Sequence, residues 1–200
     1  MRIIALLFAL LFAPAFGHEH SDVRVFMIRS QIDQAGPDPI VFVGDSITEA
    51  ARLPAEICGH PVVNAGIGGA TISGIRQALY RIGEFSAAAI VVAIGTNDAI
   101  AEPPIDQSFR FLLDELRTRS SHLVIVGIPP IGQAEALDPV KGSEVNETIA
   151  RIAGKGFVNV RQALVGSDLL GDGVHLNPRG YRIWLPIVTD AVHSSLECAP

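Results

Sequence analysis

At 200 residues, 48% of them hydrophobic, the chain is long enough for one domain with its own core and short for two of ordinary size. Its 15 basic and 21 acidic residues leave a net charge of −6, which argues against nucleic acid or an anionic membrane surface as a partner. No basic run interleaved with aromatic residues interrupts that balance.

The first element in the chain is expected to be removed from the rest. Arg2, the apolar run Ile3–Phe12 and the small residues of Ala13-Pro14-Ala15-Phe16-Gly17 have the layout of a secretory signal peptide over residues 1–17, with cleavage before His18 or at Ala15-Phe16. The run is shorter than the roughly 20 apolar residues that span a bilayer, and no later stretch is longer. Residues 18–200 then form one soluble domain, secreted or periplasmic, with no membrane span. Cleavage before His18 would leave His18-Glu19-His20 as a loose terminus. Export also makes a disulfide between the two cysteines, Cys58 and Cys198, a reasonable expectation, with two separate thiols as the alternative.

Beyond the leader, a segment at Asp22–Gln34 is expected to pack before the first strand. Five apolar, β-branched runs follow: Ile40–Val43, Val62-Val63, Ala89–Ile94, Leu123–Ile128 and Phe157–Val160. Each is nearly continuous rather than alternating, as parallel strands covered on both faces should be. Helical spacing fills the gaps: Thr71–Arg81, Asp106–Arg119, Ser143–Ile152 and Pro178–Leu196. This β-α alternation predicts an α/β fold, a three-layer α/β/α sandwich around a five-stranded parallel sheet in the flavodoxin-like order 2-1-3-4-5.

Four polar segments fall where strands should end, and in a parallel sheet such loops converge on one edge. They are Gly44-Asp45-Ser46, the glycine-rich Asn64–Thr71, Gly95-Thr96-Asn97-Asp98, and Asp172-Gly173-Val174-His175 before the last helix. Acyl transfer needs a nucleophile, a base, a group that orients the base, and donors for an oxyanion. Ser46 suits the first role, His175 the second, and Asp172, three residues earlier on one turn, the third. The backbone N–H groups of Ser46 and Gly69 and the side-chain amide of Asn97 suit the last. Taken singly, each residue has an ordinary alternative. Ser46-Ile47-Thr48-Glu49 fits a capping box, Asn97 a turn, and Asp45 and Asp98 hydrogen bonding at loop and helix ends. Asn64 reads as a turn residue supporting the glycine loop. Their joint occurrence in this order favours catalysis.

Gly44-Asp45-Ser46, Gly69, Asn97 in Gly-Thr-Asn-Asp, and Asp172-x-x-His175 resemble the four blocks of the SGNH, or GDSL, hydrolase superfamily, from about Ile40 to the last helix. Gly66 and Gly68 neighbour Gly69 in the second block, and spacing from Asn64 favours Gly69. The resemblance implies a Ser46–His175–Asp172 triad, oxyanion donors at Ser46, Gly69 and Asn97, no metal and no cofactor. The expected activity is that of a serine esterase working through a Ser46 acyl-enzyme. Short connections lean towards short acyl groups on a glycan or small alcohol. A lysophospholipase- or thioesterase-type lipid acylhydrolase and an acyltransferase are the alternatives. An intact triad argues against a non-catalytic glycan-binding module.

Overall fold

The computed structural model describes residues 15–101, 104–132 and 138–199. The expected signal peptide lies outside these residues, apart from Ala15–Gly17, which begin the helix α1 (Ala15–Ala35). α1 thus extends through the segment expected as a loose terminus. His20, on this helix, pairs with Glu49 at 3.1 Å.

The sheet has six strands in the order β2-β3-β1-β4-β5-β6. β1 (Ile40–Gly44), β3 (His60–Gly66), β4 (Ala89–Ala93), β5 (Leu123–Val126) and β6 (Phe157–Val158) are parallel neighbours. They are the five expected strands in the expected order. The sixth, β2 (Glu56–Ile57), pairs antiparallel with β3 at the edge. Cys58 and Gly59 join these two strands with φ of 55° and 78°, the left-handed pair that a two-residue hairpin turn needs.

Alternate residues of the central strands feed two cores. Val41, Val43, Ile90 and Val92 face α1, α3 (Ile72–Ile82), α5 (Asp106–Arg117) and α6 (Pro139–Ala153). Ile40, Phe42, Ala89 and Val91 face α7 (Pro178–Leu196), whose Trp184, Val188 and Val192 are fully buried. Burial on both faces explains why these strands read as unbroken apolar runs. α6 begins earlier than expected because Asp138 caps it and Pro139 sits in its first turn, a position where the missing proline N–H costs nothing.

Two short helices lie at the carboxyl edge, the first implied only by the capping-box alternative at Ser46 and the second unforeseen. α2 (Ser46–Ala50) follows β1 at once, and α4 (Thr96–Ala101) follows β4. α2 lies so close to the strand ends that a Cβ on Gly44 would collide with Thr48 Oγ1 and the Ala93 carbonyl. One on Gly66 would collide with the Glu49 backbone. Glycine at these two strand ends is what lets the serine-bearing helix sit down on the sheet.

Cys58 and Cys198 are bonded, with Cα atoms 5.9 Å apart across 140 residues of sequence. The bond ties the chain just beyond α7 to the β2–β3 hairpin. Among the described residues no helix is long and apolar enough to cross a membrane.

Candidate active site

Ser46 is the first residue of α2, and the helix is capped by its predecessor. The Asp45 carboxylate accepts the Ile47 N–H at 3.0 Å. The capping role considered for Ser46 therefore belongs to Asp45, and the serine hydroxyl is free for other work. It meets His175 Nε2 at 2.8 Å. On the far side of the ring, Nδ1 meets Asp172 Oδ2 at 2.7 Å. Residues 129 positions apart are joined because β1 delivers the serine to the edge where the turn before α7 delivers the histidine.

That turn is held by its own backbone. Asp172 Oδ1 accepts the N–H groups of Val174 and His175 at 2.9 and 3.0 Å. Partial burial pushes the Asp172 carboxyl up, but those donors and the His175 ring outweigh it and hold the group below the usual carboxylate range. The His175 carbonyl accepts the Leu170 N–H at 2.7 Å, and the Gly173 carbonyl accepts the Gly132 N–H at 2.8 Å. Asn177 then caps α7 with its Oδ1 on the N–H groups of Arg179 and Gly180. Its Nδ2 donates to the carbonyls of Ser167 and Leu169, tying the turn to the preceding loop.

The remaining two sequence-predicted residues lie in the segments that leave the two strands beside β1. Gly44 at the end of β1 pairs with Gly66 of β3 and Ala93 of β4, so the loops after both neighbours leave the sheet level with Ser46. Gly69 is exposed with φ of 74°. Among the described residues no acceptor takes its N–H. Asn97 is the second residue of α4, not a turn residue, and its Nδ2 donates to the Ala70 carbonyl at 2.9 Å. One amide N–H is thereby used to hold the side chain beside the glycine loop, which leaves the second available.

The two aspartates read as loop supports have that role. Asp98, buried, accepts the Ile72 N–H and so pins the glycine loop to α4; burial, opposed by that bond, pushes its pKa up. Asp45 is 1% exposed, and burial, partly offset by the Ile47 N–H, the Thr96 hydroxyl and the charge of His175, pushes its pKa up to about 6. Asn64 lies within β3 instead of a turn. Its Nδ2 donates to Thr48 O at 2.8 Å, satisfying the end of α2, and its Oδ1 accepts the Gly66 N–H.

Three supporting residues escaped the sequence reading. Tyr181 donates its hydroxyl to the Ile47 carbonyl at 2.8 Å, bracing α7 against α2; burial and the Asp45 charge push its pKa up to about 12. Glu49 accepts the Gly68 N–H at 2.5 Å, and Arg24 donates to the Gly66 and Asn64 carbonyls. Glu49 lies at the capping-box position relative to Ser46, so its local pattern pointed to the wrong partner. Of the groups that could ligate a metal, Cys58, His193 and Cys198 converge among the described residues. They lie at the opposite end of α7 from His175, and the two sulfurs are bonded to each other.

A family model for the GDSL-like lipase/acylhydrolase family matches residues 42–183. The chain belongs to this family. It is accordingly a serine ester hydrolase. No curated protein sequence matches it. Among solved structures it is similar to one from Streptococcus pneumonia provisionally described as a platelet activating factor. That likeness has a TM-score of 0.73 and 20% identity, and covers 92% of this chain and 95% of the other. It is also similar to Axe2, an acetylxylan esterase from Geobacillus stearothermophilus, with a TM-score of 0.60, 18% identity, and coverage of 82% and 97%. At these identities the two likenesses speak for the fold, and the GDSL-family match speaks for the chemistry.

Proposed function

We propose that this GDSL-family hydrolase cleaves short-chain carboxylic esters through an acyl-enzyme on Ser46. The observation that carries this reading is the unbroken chain from Ser46 Oγ to His175 Nε2 and from His175 Nδ1 to Asp172, at 2.8 and 2.7 Å. His175 takes the hydroxyl proton as Ser46 Oγ attacks the ester carbonyl. Asp172 holds the ring with its Nδ1 protonated and stabilises the imidazolium. The oxyanion is met by the N–H groups of Ser46 and Gly69 and the free amide N–H of Asn97. Collapse of the tetrahedral intermediate breaks the bond to the alcohol, which leaves with the proton from His175 Nε2. Water, deprotonated by His175, then attacks the acyl-enzyme and releases the acid and Ser46.

Short acyl groups are favoured because the connections beside Ser46, from β3 to α3 and from β4 to α4, are brief. The likeness to an acetylxylan esterase supports an acetyl group on a glycan or other small alcohol. The protein works outside the cytoplasm in this reading, led there by residues 1–17, and the Cys58–Cys198 bond suits an oxidising compartment. A series of p-nitrophenyl esters from acetyl to palmitoyl, with labelling by a fluorophosphonate, tests the chemistry. The expected result is highest kcat/KM at acetyl or butyryl and a label on Ser46. A label absent from Ser46 would overturn the mechanism, and an optimum at long chains would overturn the acyl preference. N-terminal sequencing of exported protein tests the leader, with residue 18 as the expected first residue.

A further inference from the structure

The two faces of the sheet supply different halves of the site. Gly69 belongs to the loop leading into α3 and Asn97 to the first turn of α4, on the face covered by α1, α3, α5 and α6. His175 belongs to the turn leading into α7, on the opposite face. Ser46 lies between them. In the reaction proposed above, on which this inference rests, the ester oxygen of the alcohol receives its proton from His175 Nε2. The leaving alcohol must therefore extend towards α7, away from the oxyanion donors.

On that side lies a groove of about 830 Å³ between the end of α2 and the first turns of α7. The triad side chains do not themselves line it, but Leu176 and Pro178 follow His175 closely in sequence and Ala50 is one turn beyond Ser46 on the same helix. Its floor is apolar, formed by Leu176, Pro178, Leu185 and the ring of Tyr181. The Tyr181 hydroxyl is turned away to the Ile47 carbonyl, which leaves the ring as a flat wall. Arg52 and Arg182 also line this groove, and both are exposed. Among the described residues neither has a carboxylate within 4.0 Å, although acidic residues outnumber basic ones in the chain and Arg24, Arg76, Arg81, Arg110, Arg117 and Arg119 are all paired. Two unneutralised guanidinium groups at the rim of an apolar groove are complementary to a small alcohol with an apolar body and an anionic end.

We infer that the α2–α7 groove is the leaving-group subsite, and that the substrates it fits are short-chain esters of an apolar alcohol carrying a carboxylate or phosphate, held by Arg52 and Arg182. A chain of neutral sugars would leave both arginines without a role. The inference places substrate selectivity in the alcohol, while the acyl group needs little room.

The test compares release of acetate from 4-acetoxyphenylacetate and from its neutral methyl ester, whose aryl acetate bonds have closely similar intrinsic reactivity. The wild-type enzyme should prefer the anion by about tenfold in kcat/KM at low salt, mostly through KM. Arg52→Gln with Arg182→Gln should cut that preference by about five- to tenfold, as should 0.5 M NaCl. Charge reversal by Arg182→Glu should turn the preference towards the neutral ester. Equal use of the two esters by the wild type, or a preference unmoved in the variants, would overturn the inference. Binding of 4-hydroxyphenylacetate, the alcohol itself, is read separately by calorimetry or NMR on Ser46→Ala protein. Binding there that Arg52→Gln/Arg182→Gln weakens supports the subsite even if Ser46 proves not to be the nucleophile. Absence of binding overturns the subsite even if Ser46 is the nucleophile.

Discussion

The serine and the histidine of this site are held in place by different physics. Ser46 stands at the end of β1, every residue of which is buried, and on a helix pressed against two strand-end glycines. Its position is a property of the whole sheet. Asp172 and His175 stand on a half-exposed surface turn whose shape comes from Asp172 bonding two N–H groups of its own turn. That turn joins the rest of the molecule through Asn177, Leu170 and Gly132. The proposed nucleophile is therefore fixed by the core, and the proposed base by local hydrogen bonds aimed at it. The attacking oxygen is thus positioned by the sheet, and the ring that takes its proton by hydrogen bonds within its own turn.

Removing either reacting group gives the largest expected effect. Ser46→Ala and His175→Ala should each lower kcat on p-nitrophenyl acetate by on the order of 10⁶, with little change in Tm, because neither side chain contributes to the core. Equal loss from both would show that the two regions act as one unit despite their different supports. Retained activity in Ser46→Ala would break the comparison altogether.

Asn97→Ala comes next. It removes the proposed side-chain donor to the oxyanion and should cost about 10²–10³ in kcat, roughly 3–4 kcal/mol, with KM nearly unchanged. Asp98 still binds the Ile72 N–H in this variant, so the glycine loop stays attached. A rise in KM at constant kcat would reassign Asn97 to ground-state binding.

The disulfide separates support of α7 from support of its catalytic end. It closes 140 residues of chain, and Cys58→Ser with Cys198→Ser should cost about 2–5 kcal/mol, seen as a Tm lower by about 5–15 °C. Activity per folded molecule should persist, since Asn177, Tyr181 and Asp172 hold the His175 end without it. Loss of activity in parallel with Tm would mean that the turn depends on the far end of its helix.

Much of this arrangement was readable before any coordinates. Continuous apolar runs identify the five parallel strands because both faces are buried, and topology then brings Ser46, Asp172 and His175 to one edge. The strand β2 was not readable, since two residues joined by Cys58-Gly59 lack both an apolar run and a familiar turn pair. α2 and α4, at five and six residues, are too short to display a helical period. Asn64, Arg24 and Tyr181 act on carbonyl groups 13 to 134 positions away, and a bond to a backbone atom leaves no mark on the residue type of its acceptor.

Asp45 sharpens the contrast at the smallest scale, because it belongs to the core-held region but feels the charge of His175 on the surface turn. A carboxyl with pKa about 6 in the folded protein, against about 3.8 in the unfolded chain, keeps its proton longer when folded. Between those two values the folded state binds more protons, so this group's contribution to stability falls as pH rises, and the loss is complete above about pH 6. Moving this carboxyl's titration from about 3.8 to about 6 corresponds to about 3 kcal/mol. Asp45→Asn keeps an equally good helix cap without the charge. Denaturant unfolding should therefore find the variant up to about 3 kcal/mol more stable than wild type at pH 7.5, with the gain vanishing near pH 4. The same substitution removes a negative charge close enough to His175 to act on the positive charge that develops there in the transition state, and kcat should fall several-fold at neutral pH. Stability and activity would then move in opposite directions at one atom, as expected if the buried charge is kept for the sake of the imidazolium. A variant less stable than wild type at pH 7.5 would show instead that the Asp45 carboxylate is held by hydrogen bonds strong enough to repay its burial.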